Sequence, residues 1–290
     1  MTGDDSRLAL LLALADDELV IGHRHSEWTG WAPHIEEDLA FSSIAQDEMA
    51  HARLLYALAD EVAGSTEDDL AFGREPAEYR NAVLCERPNR DWGFTIARQY
   101  LYDSADAVRL EALAESSWPE LSELVGVIRL EEKYHLDHAR AWFTRLAAGP
   151  IEARRHFADG LASALGDAVG VFEPLPGEAS LVEEGVLPRS SEELLGQWLT
   201  RLGGELEEAS MDYVLERHTA QGREMVPTSA GEIEAEEVLA VPGIARRDGR
   251  WVHEGEFTGA GGRRGRHSED FLPLWEEMTR LHREHPGATW

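Results

Sequence analysis

Apolar residues recur at intervals of three and four along most of the chain, which is the spacing of amphipathic helices rather than strands. Gly30 with Pro33 interrupts the first long run, and Trp118-Pro119 interrupts a later one. A broken, acidic stretch over about 64–90 separates the two helix pairs and is long enough to act as a crossover. The pattern therefore predicts a four-helix bundle with one long connection. Its helices are expected over about 5–28, 33–63, 91–116 and 119–147.

Further helices are expected over about 151–171, 191–218 and 268–285. The stretch between the last two is rich in glycine and acids and holds only short strand-like pieces such as Arg250-Trp251-Val252, so it is predicted to be a loop insertion. The fold class is all-α. Three segments follow: a helical bundle over 1–219, an insertion and loop over 220–267, and a C-terminal helix and tail over 268–290.

A Glu-x-x-His spacing occurs twice, as Glu48 with His51 and as Glu132 with His135. On a helix this spacing places a carboxylate and an imidazole one turn apart on the same face. Each motif follows another acid at a matching interval, because Glu18 precedes Glu48 by 30 residues and Asp103 precedes Glu132 by 29. Two antiparallel helix pairs with these intervals would bring the acids and histidines together inside a bundle.

A single Glu-x-x-His is common on a solvated helix face, so the apolar neighbours decide the interpretation. Glu48 has Phe41 and Ile44 at helical spacing, and the other three acids have apolar neighbours at similar spacing. Buried carboxylates without a partner are costly, and shared protons would be a poorer partner than metal ions. The sequence predicts a ferritin-like di-metal site, with iron or manganese suited to carboxylate and imidazole ligands. The predicted ligands are Glu18, Glu48, His51, Asp103, Glu132 and His135.

Residues near these positions have secondary expectations. His23, His25 and Glu27 lie close to the break after the first helix and are expected to be hydrogen-bonding or rim groups rather than ligands. Asp106, one turn after Asp103, is either an acceptor for a ligand histidine or an exposed acid.

The charge balance excludes several classes of partner. The chain has 56 acids and 27 bases, for a net charge of −29, and such a field repels nucleic acid and anionic membranes. A single cysteine, Cys85, cannot form an intrachain disulfide or hold an iron–sulfur cluster. No apolar run is long enough for a membrane span and the polar N-terminus is unlike a signal peptide, so a cytoplasmic location is expected. Lys133 is the sole lysine, a composition that fits either a high-salt cytoplasm or a GC-rich genome.

Several motifs carry a resemblance to a known family. They are Glu27-Trp28-Thr29-Gly30-Trp31-Ala32-Pro33, Asp69-Leu70-Ala71-Phe72, Thr95-Ile96-Ala97-Arg98-Gln99-Tyr100, Gly261-Gly262-Arg263-Arg264-Gly265-Arg266-His267-Ser268-Glu269 and Pro286-Gly287-Ala288-Thr289-Trp290. Together they resemble the C-type subunit of phenylacetyl-CoA epoxidase, a multicomponent bacterial oxygenase. The resemblance covers nearly the whole chain apart from about 220–255.

This resemblance implies a ferritin-like fold, phenylacetate breakdown and a complex with a homologous A-type subunit. It also implies a separate reductase and phenylacetyl-CoA as the substrate of the complex. In that family the A-type subunit normally carries the di-iron centre, whereas the C-type subunit is a structural partner that has lost its ligands. This sequence departs from the pattern because it keeps a full ligand set.

Three functions therefore stay open. The chain is a C-type epoxidase subunit, acting as a scaffold or with its own metal site, or a stand-alone di-iron or di-manganese oxidase or oxygenase, or a ferritin-like iron binder. The Arg263-Arg264-Gly265-Arg266 turn is expected to dock an acidic partner or coenzyme A phosphates, or else to be an ordinary solvated turn.

Overall fold

Two long helical hairpins form the centre of the molecule. The computed structural model describes residues 3–211, 214, 224–228, 231–235, 243–254, 259–285, 287 and 288. The first hairpin pairs α1 with α2, and the second pairs α5 with α6. The helices are α1 Gly3–Ser26, α2 Ile35–Ala63, α3 Glu67–Phe72, α4 Val83–Glu86, α5 Trp92–Leu113, α6 Pro119–Ala147, α7 Ile151–Val169, α8 Glu178–Glu183, α9 Ser191–Glu208 and α10 Phe271–Glu284. The predicted all-α, ferritin-like bundle is confirmed.

Local signals explain where these helices begin and end. The side chain of Asp91 accepts a hydrogen bond from the backbone N of Phe94 at 2.8 Å and so caps α5. Pro119 opens α6 in the first turn, where its missing N–H costs nothing. Gly64 closes α2 in a left-handed conformation, with φ of 67°.

The helix predicted over about 191–218 is shorter in the structure. It ends at Glu208, and Ser210 then adopts a left-handed backbone with φ of 54°. Arg154 of α7 donates to the carbonyl oxygen of Ser210 at 2.6 Å, which satisfies part of the terminated helix end. The predicted end at His218 and the boundary between 219 and 220 lie outside the described residues.

The predicted insertion contains two antiparallel hairpins. Strand β1 Glu224–Thr228 pairs with β2 Gly231–Ala235, and β3 Ile244–Arg247 pairs with β4 Arg250–His253. Trp251 of β4 is buried against α9 at Gly203, where an added Cβ would overlap the indole ring. The second hairpin is therefore packed on the helical body, which a plain loop would not be.

One arginine of the arginine-rich turn, Arg263, has a different role from the two predicted for this turn. Arg263 is buried, and its guanidinium donates to both carboxylate oxygens of Asp17 at 2.8 Å. It also donates to the carbonyl oxygen of Val171 at 2.9 Å. Docking to a partner or to coenzyme A phosphates and a solvated turn are both wrong for Arg263, because α1 covers its side chain.

Within the described residues, no helix is both long enough and apolar enough to cross a membrane.

Candidate metal centre

Helices α1, α2, α5 and α6 each place acidic or imidazole groups in the bundle core. All six residues predicted as metal ligands are buried, the most exposed being Glu132 at 6%. The prediction that they lie on core-facing stripes is therefore confirmed. Gly22 of α1 makes room for the site, because an added Cβ there would lie 3.3 Å from Cβ of Glu48. A larger residue at that position would push α1 away from α2.

Glu18, His51 and Glu132 come together as one group that could hold a metal ion. Their ligand atoms all lie within 4.8 Å of one another. Nδ1 of His51 lies 3.3 Å from Oε2 of Glu18 and 3.0 Å from Oε1 of Glu132. Three different helices thus contribute one donor each to a common point.

The remaining predicted ligands are not part of this triad, although His135 contacts it. Nδ1 of His135 lies 3.1 Å from Oε1 of Glu132, so the same carboxylate oxygen faces both histidines. Glu48 turns toward His25, whose Nδ1 lies 3.0 Å from each of its carboxylate oxygens. His25 is fully buried and is a hydrogen-bonding group, as the sequence predicted.

Asp103 provides the clearest sign that a cation suits this core. Both of its carboxylate oxygens are buried without a hydrogen-bond partner among the described residues. Buried polar atoms are normally paired, so these two carboxylate oxygens fit a bound metal. The donor set of carboxylates and imidazoles fits iron or manganese.

Two acids outside the predicted set orient the histidines. Oε2 of Glu131 lies 2.8 Å from Nε2 of His51, and Oδ2 of Asp47 lies 3.4 Å from Nε2 of His135. Each acid thus reaches from its own helix to the histidine of the other motif. An Nε2–H donated outward leaves Nδ1 free to face a metal. The sequence contained the signal, since an acid directly precedes the glutamate of both motifs, but no role was predicted for it.

Tyr102 supports the first carboxylate of the triad. Its hydroxyl donates to Oε1 of Glu18 at 2.9 Å, which leaves the other oxygen to face His51. Nothing in the spacing singled out this tyrosine, because it lies beside Asp103 on a helix that is buried almost throughout.

Asp106 does not serve a ligand histidine and is not exposed. Its Oδ1 accepts from Nε and Nη2 of Arg109 at 3.1 and 2.6 Å, and only 1% of the residue is exposed. Arg109 also donates to Asp17 at 2.7 Å. Both interpretations offered by the sequence are wrong, because Arg109, one turn further along α5, donates hydrogen bonds to this carboxylate.

Burial and mutual repulsion favour protons on several of the acids. Burial raises the pKa of Glu18, Glu48 and Asp103, and the negative charge of Glu132 raises the pKa of Glu18 and Asp103 further. Glu132 behaves differently. Although burial opposes its charge, His135 and His51 lower its pKa to about 2.

The histidines respond in the opposite direction. Burial disfavours the charged imidazole, but the carboxylates of Glu132 and Glu18 raise the pKa of His51 to about 12. Glu132 likewise raises the pKa of His135 to about 10 against the effect of burial. In the metal-free chain these two imidazolium groups balance Glu132, and a metal would take over that positive charge.

Paired helices that hold carboxylates and Glu-x-x-His motifs in their core define a ferritin-like bundle with a candidate metal centre. The chain belongs to the phenylacetic acid catabolic protein family, whose model matches residues 2–225. It is also similar to the C-type subunit of the 1,2-phenylacetyl-CoA epoxidase of Escherichia coli strain K12. The two chains are 28% identical over 285 residues, which is 97% of this chain and 98% of the relative. These matches confirm the resemblance carried by the sequence motifs.

Proposed function

We propose that this chain is the C-type subunit of a phenylacetyl-CoA epoxidase and acts in phenylacetate breakdown. The observation that carries the proposal is the end-to-end similarity to the C-type chain of the Escherichia coli epoxidase, joined with membership of the family. An alignment over 97% of this chain supports a shared architecture rather than one shared motif. The proposal includes a cytoplasmic location, a homologous A-type subunit as partner and a separate reductase as electron donor.

The proposal also includes a di-metal centre in this chain. Its ligands are Glu18, Glu48, His51, Asp103, Glu132 and His135, with iron ahead of manganese because of the oxygenase context. Iron held there would supply redox chemistry for the activation of dioxygen. The chain's own residues bury the site, orient both histidines through Glu131 and Asp47, and hold Glu18 through Tyr102.

Reconstitution tests the function. The chain, the A-type subunit of the same organism and a reductase are combined, and phenylacetyl-CoA consumption is followed by mass spectrometry with each component omitted in turn. Turnover is expected only with all three present. Turnover that is unchanged without this chain would overturn the proposal.

A Glu48→Ala/Glu132→Ala variant tests whether the chain acts mainly as a scaffold for the A-type subunit or through its own metal centre. A scaffold role predicts that this variant keeps most of the activity of the complex, since the reaction then takes place in the A-type subunit. Complete loss of turnover while the complex survives would make the metal centre of this chain catalytic.

A second function, a stand-alone di-iron or di-manganese oxidase or oxygenase, is favoured by one observation. The triad of Glu18, His51 and Glu132 is assembled within this chain alone. Oxygen consumption by the iron-loaded chain with a chemical reductant and no A-type subunit would favour it. Iron uptake far above two ions per chain would instead favour a ferritin-like iron binder.

A further inference from the structure

Glu48 is the predicted ligand whose side chain turns away from the metal triad. Among the described residues, it does not belong to the group of donors close enough to share one ion, which holds Glu18, His51 and Glu132. Nδ1 of His25 instead lies 3.0 Å from each carboxylate oxygen of Glu48. Both side chains are buried, so water does not compete for this contact. The carboxylate of Glu48 therefore already has a partner in the metal-free chain.

The geometry of α1 gives Glu48 two directions in which it can turn. Glu18, Gly22 and His25 follow one another at intervals of four and three residues, so they share the face of α1 that packs against α2. Gly22 lies opposite Glu48, because an added Cβ there would be 3.3 Å from Cβ of Glu48. At 1.5 Å per residue, Glu18 and His25 lie about 10 Å apart along the helix. Glu48 thus stands between the triad and His25, and its side chain points to His25.

The imidazole of His25 is fixed in the core and depends on Glu48 for its pairing. Its Nε2 is buried and has no hydrogen-bond partner among the described residues. The ring packs edge-on against the buried ring of Phe41, with centroids 5.2 Å apart and an angle of 81° between the planes. If Glu48 moved away, both ring nitrogens would be unpaired inside a dry core, which is costly. His25 therefore resists the movement of Glu48 toward a metal ion.

The triad can hold a first ion without Glu48, whereas a second ion needs it. The triad supplies one donor from each of α1, α2 and α6. Asp103 and His135 are the predicted ligands left for a second ion, and Nδ1 of His135 lies 3.1 Å from the triad through Glu132. Iron of this class is commonly held by at least three protein ligands. Glu48 is the remaining predicted ligand that could complete such a set.

We propose that His25 is a positioning residue that withholds Glu48 from the first metal ion, so that the centre fills in two unequal steps. The first ion binds at Glu18, His51 and Glu132. The second ion binds after Glu48 has left His25, and the hydrogen bond that must break weakens the binding of that ion. This inference rests on the metal centre of the proposed function, and it adds an order of filling and the residue that sets the order.

Manganese titrations of the full-length chain test this order. Mn²⁺ is the probe, because it is one of the two metals that the donor set fits and its paramagnetic resonance spectrum distinguishes an isolated ion from a coupled pair. Calorimetry at constant pH gives the two dissociation constants. One equivalent of Mn²⁺ added to the wild type is expected to give the spectrum of isolated ions. The second ion is expected to bind about tenfold or more weakly than the first.

Three variants separate the hydrogen bond of His25 from its packing. His25→Phe removes the hydrogen bond but keeps a planar ring beside Phe41. His25→Asn is the conservative variant, since its amide keeps an N–H near the position of Nδ1. His138→Phe is the matched control, because His138 also packs edge-on against Phe41, at 5.7 Å, but bonds Glu37 rather than Glu48. Melting curves record whether each chain folds.

His25→Phe is expected to tighten the second ion about tenfold and to leave the first within about twofold, because Glu48 is then free to turn. His25→Asn and His138→Phe should both keep the wild-type constants. If His25→Phe changed neither constant, or tightened the first ion instead of the second, the proposal would be overturned while the metal centre remained.

The wild-type spectrum is decisive even if His25→Phe does not fold. Coupled pairs at one equivalent of Mn²⁺ would show that the two ions bind together, which would overturn the proposed order. If the wild type bound neither Mn²⁺ nor Fe²⁺, the metal centre would fail together with this inference. The role of the chain in the epoxidase is measured separately, by the reconstitution described above.

Discussion

Oε2 of Glu131 lies 2.8 Å from Nε2 of His51, and this contact joins the partly exposed edge of α6 to a buried imidazole of α2. The same relationship recurs in reverse between Asp47 of α2 and His135 of α6. Each motif therefore supplies both a candidate ligand and the acid that orients the histidine of the other motif. Loss of one acid should disturb the opposite motif rather than its own.

We expect Glu131→Ala to weaken metal binding at this centre about 10- to 100-fold, because His51 loses the acceptor that holds its tautomer and orientation. Competition with a chelator during iron or manganese titration measures the change. Glu123→Ala is the control, since Glu123 is an acid on the same helix that lies outside the site. Equal affinities for the two variants would contradict the orienting role of Glu131.

Metal affinity should fall as the solution becomes more acidic. His51 and His135 have pKa values raised to about 12 and about 10, so both are protonated in the metal-free chain at neutral pH. A metal must displace these protons, which costs about tenfold in affinity per pH unit for each proton released. Titrations between about pH 6 and pH 8 with a proton-release readout measure this. An affinity that stays constant over this range would exclude the two histidines as ligands.

The contact between Gly203 and Trp251 should control the stability of the second hairpin. Gly203→Ala places a methyl group onto Cδ1 of the indole ring, so it is expected to lower the free energy of unfolding by about 1–3 kcal/mol through overpacking, and the melting temperature with it. Gly204→Ala is the matched control, because nothing lies within 4 Å of its added Cβ and alanine favours the helix by about 0.5–1 kcal/mol. Thermal melts compare the two. A Gly203→Ala chain as stable as the control would show that the hairpin does not pack on α9.

Removal of Arg263 should be strongly destabilising. Arg263→Ala leaves the buried Asp17 with only one of its two arginine partners, and breaking a buried pair in this way costs about 3–5 kcal/mol. Arg264→Ala should change stability by less than about 0.5 kcal/mol, because the side chain of Arg264 is 57% exposed. Urea unfolding measures both. If Arg263→Ala changed the free energy of unfolding only slightly, the partner-docking role predicted from the sequence would again be the better interpretation of this turn.

Stability should rise with salt. A net charge of −29 repels itself at low ionic strength, and screening removes much of that repulsion. The melting midpoint is expected to climb from about 0.1 M to molar KCl as the screening length shortens. Sucrose in place of salt controls for general exclusion effects. A midpoint that is flat or falls with KCl would leave genome composition as the cause of the acidic, lysine-poor chain.

The helix pairs and the buried acids followed from the sequence because both depend on local spacing. A helix turns once in about 3.6 residues, so apolar positions and the Glu-x-x-His pairs could be assigned to one face without any tertiary information. The boundaries of α6 were predicted at Pro119 and Ala147, where the structure has them. Burial of all six predicted ligands follows from the same periodicity.

The tertiary structure alone decided which groups meet across helices. The pairing of Glu131 with His51 depends on the register of α6 against α2, and periodicity within one helix contains no information about that register. Arg263 became a core residue because Asp17, 246 positions earlier, required a buried cation. Trp251 packs on α9 because Gly203 leaves it the room. Contacts between residues so far apart in the chain depend on how whole helices pack, and local sequence patterns do not report that packing.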